Sequence, residues 1–314
     1  MKSIIRYSLL VLILAYSIRE LLYIGIRKNK SGEYDKLNTL FIKANNYNTL
    51  IAGSSRAEAH FNPLIIDSIT HLNTYNIGLE GAVMPIVYDG LEAYLENSQS
   101  PQNLILHIDF FYETGKSKNE ELIFRFPRYF PYLSNQKLYQ KFRNRDSRFF
   151  FFKYIPFYSM PYFNEQYLGY SLKGYFSFLG VPPHNYIKGY SPLPITNEDI
   201  DIMYYSDQCP LLEPVIYNSL DSIIAICKSR DIRLFFVFSP LYYKDYNSIQ
   251  NKYQLLRNFK NIADSNHIKY FDYSLTPLSY NKKIFTDSRH LNINGSTQFS
   301  RLFAADLKQY LSKK

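Results

Sequence analysis

Five short apolar runs, each stopped by turn residues, constrain this chain more than any other feature. They read "NTLIAG" (48–53), "NTYNIGLEGA" (73–82), "NLILHIDFF" (103–111), "IRLFFVFSP" (232–240) and "IKYFDYS" (268–274). "NLILHIDFF" is near-continuously apolar, as a strand buried on both faces must be. Between the runs, apolar positions fall at helical spacing. "MPIVYDGLEAYLEN" carries Ile86, Leu91, Tyr94 and Leu95, and "LEPVIYNSLDSIIAICKSRD" aligns Val215, Leu220, Ile223, Ile224 and Cys227 on one face. Two further helices are expected, over "SIQNKYQLLRNFKNIADSN" and over the closing "NINGSTQFSRLFAADLKQYLSKK". Strands alternating with helices predict an α/β three-layer sandwich around a central, mostly parallel sheet.

The alternation fails between about 112 and 210. There, prolines and aromatics dominate, as in "RFPRYFPYLSNQKLYQKF" and "FLGVPPHNYIKGYSPLPI". The expected division is therefore an α/β domain over 45–112 and 212–312, with an aromatic-rich insertion over 113–211 acting as a lid or acceptor-binding region. A subdomain remote from any site is the plainer reading of the same stretch. "FFFFKYIPFY" within it reads as core, with membrane contact the alternative. "SGEYDKLNTLFIKANNY" reads as a polar linker running into a short helix.

At the amino terminus, Lys2 and Arg6 precede an apolar run from Tyr7 to Ile18, which Arg19 and Glu20 interrupt before "LLYIGI" resumes it. This hydrophobic helix, within a signal or anchor segment over 1–30, predicts export, with the segment either cleaved near "AYS" or kept as a membrane anchor. The net charge of +9 is spread without a dense basic stripe, so a nucleic-acid partner is not expected. Cys209 and Cys227 form no CxxC and have no histidine nearby, which leaves no metal signature.

In open parallel sheets, sites gather at the carboxyl ends of strands. The first run ends in Gly-Ser-Ser-Arg, where Ser54 or Ser55 either caps the following helix or serves as a nucleophile. A serine needs a base, and the base needs a third group to fix its tautomer. "FTDSRHLN" supplies Asp287 and His290 three residues apart, so one turn brings both side chains together. Of the other groups, Arg56 is a candidate for an anionic substrate or for a surface carboxylate. Glu80 and Asp109 are candidates to line the cleft. Ser239, in "SPLYY", is close enough to a strand end to reach the site, though the run reads more simply as a turn. His60, His71, His184 and His267 read as ordinary polar residues.

Taken together, these pieces resemble the blocks of the SGNH/GDSL hydrolase superfamily. "GSSRA" is similar to the first block, with Ser55 as nucleophile and Ser54 in the place of the usual aspartate; a shift of one residue would make Ser54 the nucleophile. "YNIGLEGA" is similar to the second block, whose last glycine, Gly81, would join the Ser55 N–H in binding an oxyanion. "DSRHLN" is similar to the fifth, making Asp287 the orienting acid and His290 the base. The third block departs from the pattern: no asparagine follows the strand in "LILHIDFF", where His107 and Asp109 stand instead. The resemblance implies an SGNH/flavodoxin-like fold and serine esterase or O-acyltransferase chemistry without metal or organic cofactor. It is similar to the branch that handles cell-surface polymers, which implies an acylated carbohydrate or acyl donor as partner, and an acyl-transfer partner protein in the envelope. A chain that kept the fold without catalysis, as a glycan-binding or assembly scaffold, is the alternative.

Overall fold

The structure, a computed structural model, describes residues 2–30, 32–110, 126–176, 186–196, 200 and 214–313. In chain order the elements are α1 (Lys2–Lys28), α2 (Gly32–Phe41), β1 (Thr49–Ala52), α3 (Ser55–His60), α4 (Pro63–Thr70), β2 (Thr74–Asn76), α5 (Met84–Asn97) and β3 (Asn103–His107). Then follow α6 (Gln136–Arg145), α7 (Phe149–Tyr154), α8 (Pro156–Ser159), α9 (Glu165–Tyr175), α10 (Pro214–Ser229), β4 (Arg233–Phe238), α11 (Tyr243–Ser248), α12 (Lys252–Ser265), β5 (Lys269–Asp272) and α13 (Ile293–Leu311). The chain divides into two units: Met1–Lys43 with Lys116–His184, and Ala44–Gly115 with Asn185–Lys314.

All five apolar runs become strands of one sheet in the second unit, ordered β2-β1-β3-β4-β5. Every neighbouring pair among the described strands is parallel, in keeping with the expected central, mostly parallel sheet. Helix-containing connections separate every pair of successive strands, which is what parallel pairing demands. Register places Ile51 beside Ile105 and Ile105 beside Phe235. These side chains, with Val237, share a core with Ala57 of α3, Phe61 just after it, Ile66 of α4, and Phe299 and Phe303 of α13. Phe61 meets Phe299 and Phe303 edge-on at 5.1 and 5.5 Å, and each buried ring stabilises by about 1.5–3 kcal/mol. The alternate positions Leu50, Leu104, Leu106 and Phe236 are also fully buried, against the opposite layer to which α5 and α10 belong. From β1 the chain passes to β2 on one side and then to β3 on the other, which makes the carboxyl ends of β1 and β3 the switch point of the sheet, where open α/β sheets bind ligands.

The expected insertion is divided differently. Residues 116–184 form the first unit together with α1 and α2, while 186–196 belong to the second. The latter segment is tied there by backbone bonds from Asn76 to Lys188, Ser191 to Glu58 and Ile293 to Leu193. Parts of the expected insertion at 113–125, 177–185, 197–199 and 201–211, including His184 and Cys209, lie outside the described residues.

In the first unit, α1 runs unbroken through Arg19 and Glu20. Ala15, Arg19, Tyr23 and Ile26 recur at helical spacing and form its buried stripe. Of the expected polar linker and short helix, the helix is α2, which begins already at Gly32 and is well packed, because Tyr34, Leu37, Leu40 and Phe41 share one face and are buried. The Asn38 amide bonds the carbonyls of Ile26 and Asn29 and accepts from the Tyr132 hydroxyl at 2.7 Å. "FFFFKYIPFY" is core only in part. Helical spacing turns Phe149 and Phe152 inward, where Phe149 stacks on Phe142 and Phe152 on Phe130, and it turns Phe150, Phe151 and Tyr154 outward.

Candidate active site

Gly53 explains why β1 ends as it does. Its φ is +150°, and a Cβ there would lie 2.7 Å from the Ala57 Cβ and 2.9 Å from the His107 Cβ. A glycine therefore lets β1 turn into α3 hard against β3. Ser54 precedes the helix, but its side chain makes no capping hydrogen bond. The cap reading fails for it. Ser55 is the first residue of α3, and its Oγ lies 2.8 Å from His290 Nε2.

The His290 ring is held from behind. Its Nδ1 is 3.0 and 2.9 Å from the two Asp287 carboxylate oxygens. Asp287 Oδ1 also accepts the backbone N–H groups of Arg289 and His290, both at 2.8 Å, which folds the segment into one tight turn. Burial pushes the Asp287 pKa up, but the hydrogen bond and charge of His290, with those N–H groups, hold it below the ordinary value. An ionised Asp287 keeps the proton on Nδ1 and leaves Nε2 to accept from Ser55. The turn is anchored on both sides: Phe285 bridges Leu291, Tyr242 N–H donates to the Ser288 carbonyl, and Arg289 Nε reaches the buried Asp245 at 3.4 Å. The Asp287 side chain is 52 % exposed and that of His290 23 %, so the array opens to solvent from the acid's side.

Beneath Ser55 lies a buried polar layer that sequence reasoning largely missed. Arg56 faces neither an anionic substrate nor a surface carboxylate. Its Nη2 donates to the carbonyls of Ser239 and Pro240, and Nη1 pairs with Asp109 at 3.0 Å, both side chains being buried. Asp109, expected to line the cleft, is thereby committed to Arg56. His60, read as an ordinary polar residue, accepts the Leu291 N–H on Nε2 at 2.9 Å. Its Nδ1 therefore carries the proton and donates to Ser239 Oγ at 2.7 Å, and Ser239 Oγ in turn lies 2.9 Å from His107 Nε2. Burial, reinforced by the Arg56 charge, pushes both imidazoles well below the ordinary histidine value. Ser239 is thus more than a turn: it joins two neutral imidazoles. The one sequence signal for this layer was the i, i+4 spacing of Arg56 and His60 on the face of α3 away from Ser55.

The "NIGLEG" turn after β2 is fixed by Asn76. Its amide donates to the carbonyls of Ala57 and Phe61, and its Oδ1 accepts Gly78 N–H at 2.9 Å. Leu79 N–H then bonds the Gly53 carbonyl, which seats the turn beside the β1 terminus. Gly81 follows, exposed, with φ +63°, and Glu80 is exposed next to it. His71 and His267 sit with positive φ in the turns after α4 and α12. Among the described residues no group of three or more His, Cys, Asp or Glu side chains could hold a metal ion.

No protein-family model matches the chain, and no curated protein matches it. Among solved structures it is similar to one named as a lipolytic protein of the G-D-S-L family from Desulfitobacterium hafniense DCB-2, at 10% identity and a TM-score of 0.42, over 83% of this chain and 99% of that one. It is also similar to one named as an acylhydrolase from Bacteroides fragilis NCTC 9343, at 10% identity and a TM-score of 0.43, over 88% and 96% of the two chains. These are distant likenesses of backbone path; the chemistry rests on the side-chain geometry of this chain.

Proposed function

We propose that this protein is a membrane-tethered serine esterase or O-acyltransferase acting on acyl esters of a cell-surface glycan. One observation carries the reading: Ser55 Oγ, His290 and Asp287 form a continuous hydrogen-bonded array at the carboxyl edge of a parallel sheet. Ser55 Oγ attacks the acyl carbonyl while His290 Nε2 takes its proton, and Asp287 stabilises the imidazolium. The negative charge that develops on the carbonyl oxygen is met by the backbone N–H groups of Ser55 and Gly81. Collapse expels the alcohol, protonated by His290, and leaves an acyl-serine. His290 next deprotonates water or a sugar hydroxyl, which attacks the acyl-serine and releases Ser55. The glycan and the envelope acyl-transfer partner follow from the resemblance to polymer-modifying members, and the tether from α1, whose mean hydropathy reaches 1.9.

A catalytically silent scaffold is the second reading, favoured by one feature. Asp109 stands in the stretch where the third-block asparagine would donate to the oxyanion, and its carboxylate is bound to Arg56. Loss of one such donor costs roughly 10²–10³-fold in rate. The test is turnover of a chromogenic acetyl ester with and without oligosaccharide acceptors. Acceptor-dependent acetylated product, abolished in Ser55→Ala, supports transfer; release without acceptor dependence supports hydrolysis. A wild-type protein that does neither with any ester is the scaffold.

A further inference from the structure

We propose that the outward aromatic face of α7 and α8 is a second lipid-contacting surface, with α8 against the acyl chains beside α1 and α7 in the headgroup–acyl boundary of the bilayer that holds the amino-terminal half of α1. The proposal rests on the tether reading above. It begins from the continuity of α1. From Lys2 to Ile18 every side chain except Ala15 is exposed, and most are apolar. At Arg19 the same helix enters the body of the first unit. Arg19 Nη1 donates to the Lys153 carbonyl, Tyr23 reaches Ser159, and Tyr175 Oη donates to the Leu21 carbonyl. The crossing with α9 is backbone on backbone, because a Cβ on Gly174 would lie 1.7 Å from the Gly25 carbonyl oxygen. No linker or kink separates the two halves.

The length of the exposed half then matters. About 17 residues at ~1.5 Å each give roughly 25 Å, somewhat less than the ~30 Å hydrocarbon core. With no slack, inserting this half draws the surface around Arg19 and Lys153 onto the membrane. That surface is apolar and aromatic: Phe150, Phe151, Tyr154, Ile155, Phe157 and Tyr158 are each 39–50% exposed. Phe157 lines a groove with Ile4, Tyr7, Val11 and Leu12, so the α8 turn already lies alongside the exposed part of α1. Basic groups sit among the rings: Lys153 Nζ is 3.9 Å from the Tyr139 centroid, and Arg143 lies over Phe150. Tyrosines and phenylalanines interleaved with lysine and arginine suit the boundary between acyl chains and headgroups.

The chain contains no tryptophan, so a single introduced indole reports its own depth. Full-length Leu10→Trp, Phe151→Trp and Phe157→Trp variants would be reconstituted in phosphatidylcholine–phosphatidylglycerol vesicles with bromines at defined acyl positions. The expected result is loss of emission in all three, with Leu10→Trp and Phe157→Trp, which lie at one level along α1, most sensitive to deep bromines and Phe151→Trp to shallow ones. Quenching of Leu10→Trp while Phe151→Trp and Phe157→Trp emit as in bromine-free vesicles would leave the tether standing and overturn this proposal. No quenching of Leu10→Trp would overturn the tether. If the two phenylalanine-site reporters were then also unquenched, this proposal would fall with it; if they were still quenched, the lipid contact would stand on its own. Vesicles of lipid alone exclude a second membrane protein as the occupant of the face.

Discussion

The two units invert each other's surface logic. The first displays apolar groups outward: most of the large apolar side chains exposed among the described residues lie on α1 and α7–α9. In the second, exposed large apolar side chains are few, as single surface residues are in any soluble domain, and a polar cluster lies inside. Arg56, Asp109, His60, His107, Ser239 and Asp245 are all buried behind one serine and one histidine. The first unit buries polar groups too, Asn38 among them, but these bind helices to one another and not to a reactive centre. The contrast teaches where each unit needs fixed geometry. The second fixes two side chains 235 positions apart to within hydrogen-bond reach, whereas the first leaves a broad apolar face exposed on α1, α7 and α8.

The largest effect that sharpens this contrast is chemical. Asp287→Asn should leave the fold intact and slow acylation of Ser55 by about 10³–10⁴-fold, since an amide no longer fixes the imidazole tautomer. Stopped-flow acylation by an activated ester reads this directly, and a rate within tenfold of wild type would remove Asp287 from the array. Next comes charge burial. Arg56→Met strands Asp109 inside the second unit and should cost about 3–5 kcal/mol in denaturant unfolding. In the first unit, Arg148→Met breaks a pair with Asp146 in which the Arg148 side chain is 38% exposed, and it should cost no more than about 1 kcal/mol. Equal losses for the two variants would break the comparison.

Acid should also separate the units. His60 and His107 have folded pKa values depressed by burial and then by Arg56. Between those values and about 6.5 the unfolded chain binds more protons, so stability is full above that range and falls as pH drops through it. The slope is up to about 1.4 kcal/mol per pH unit for each histidine. The first unit holds no histidine among its described residues. Hydrogen exchange at pH 7 and pH 5, corrected for intrinsic rates, should show faster opening in β1, α3 and β3 and none in α6–α9. Matching acceleration in both units would assign the acid response to something else.

Local pattern carried much of this molecule. The five strands announce themselves because a two-sided apolar run has few other ways to be buried, and the Asp287–His290 turn because its partners are three residues apart. What could not be read depends on distant meetings. His60 gains its role from Leu291 and Ser239, and nothing in the "RAEAHF" stretch signals either. Asp109 read as a candidate to line the cleft because its partner, Arg56, read as facing a substrate or a surface carboxylate. The aromatic run concealed its division into inward Phe149 and Phe152 and outward Phe150 and Phe151, because a run of identical residues has no period to read. The unit boundary was obscured for a related reason: α1 was legible as apolar, while its docking on α9 through Gly25 and Gly174 leaves no mark in composition.

The central claim is that Ser55 is a nucleophile served by His290. Peptide mass mapping after reaction with a fluorophosphonate tests it most directly. The account predicts one phosphonyl adduct on Ser55, absent from Ser55→Ala and His290→Ala and retained in Ser54→Ala. An unmodified wild-type protein, or an adduct that survives Ser55→Ala, would contradict it.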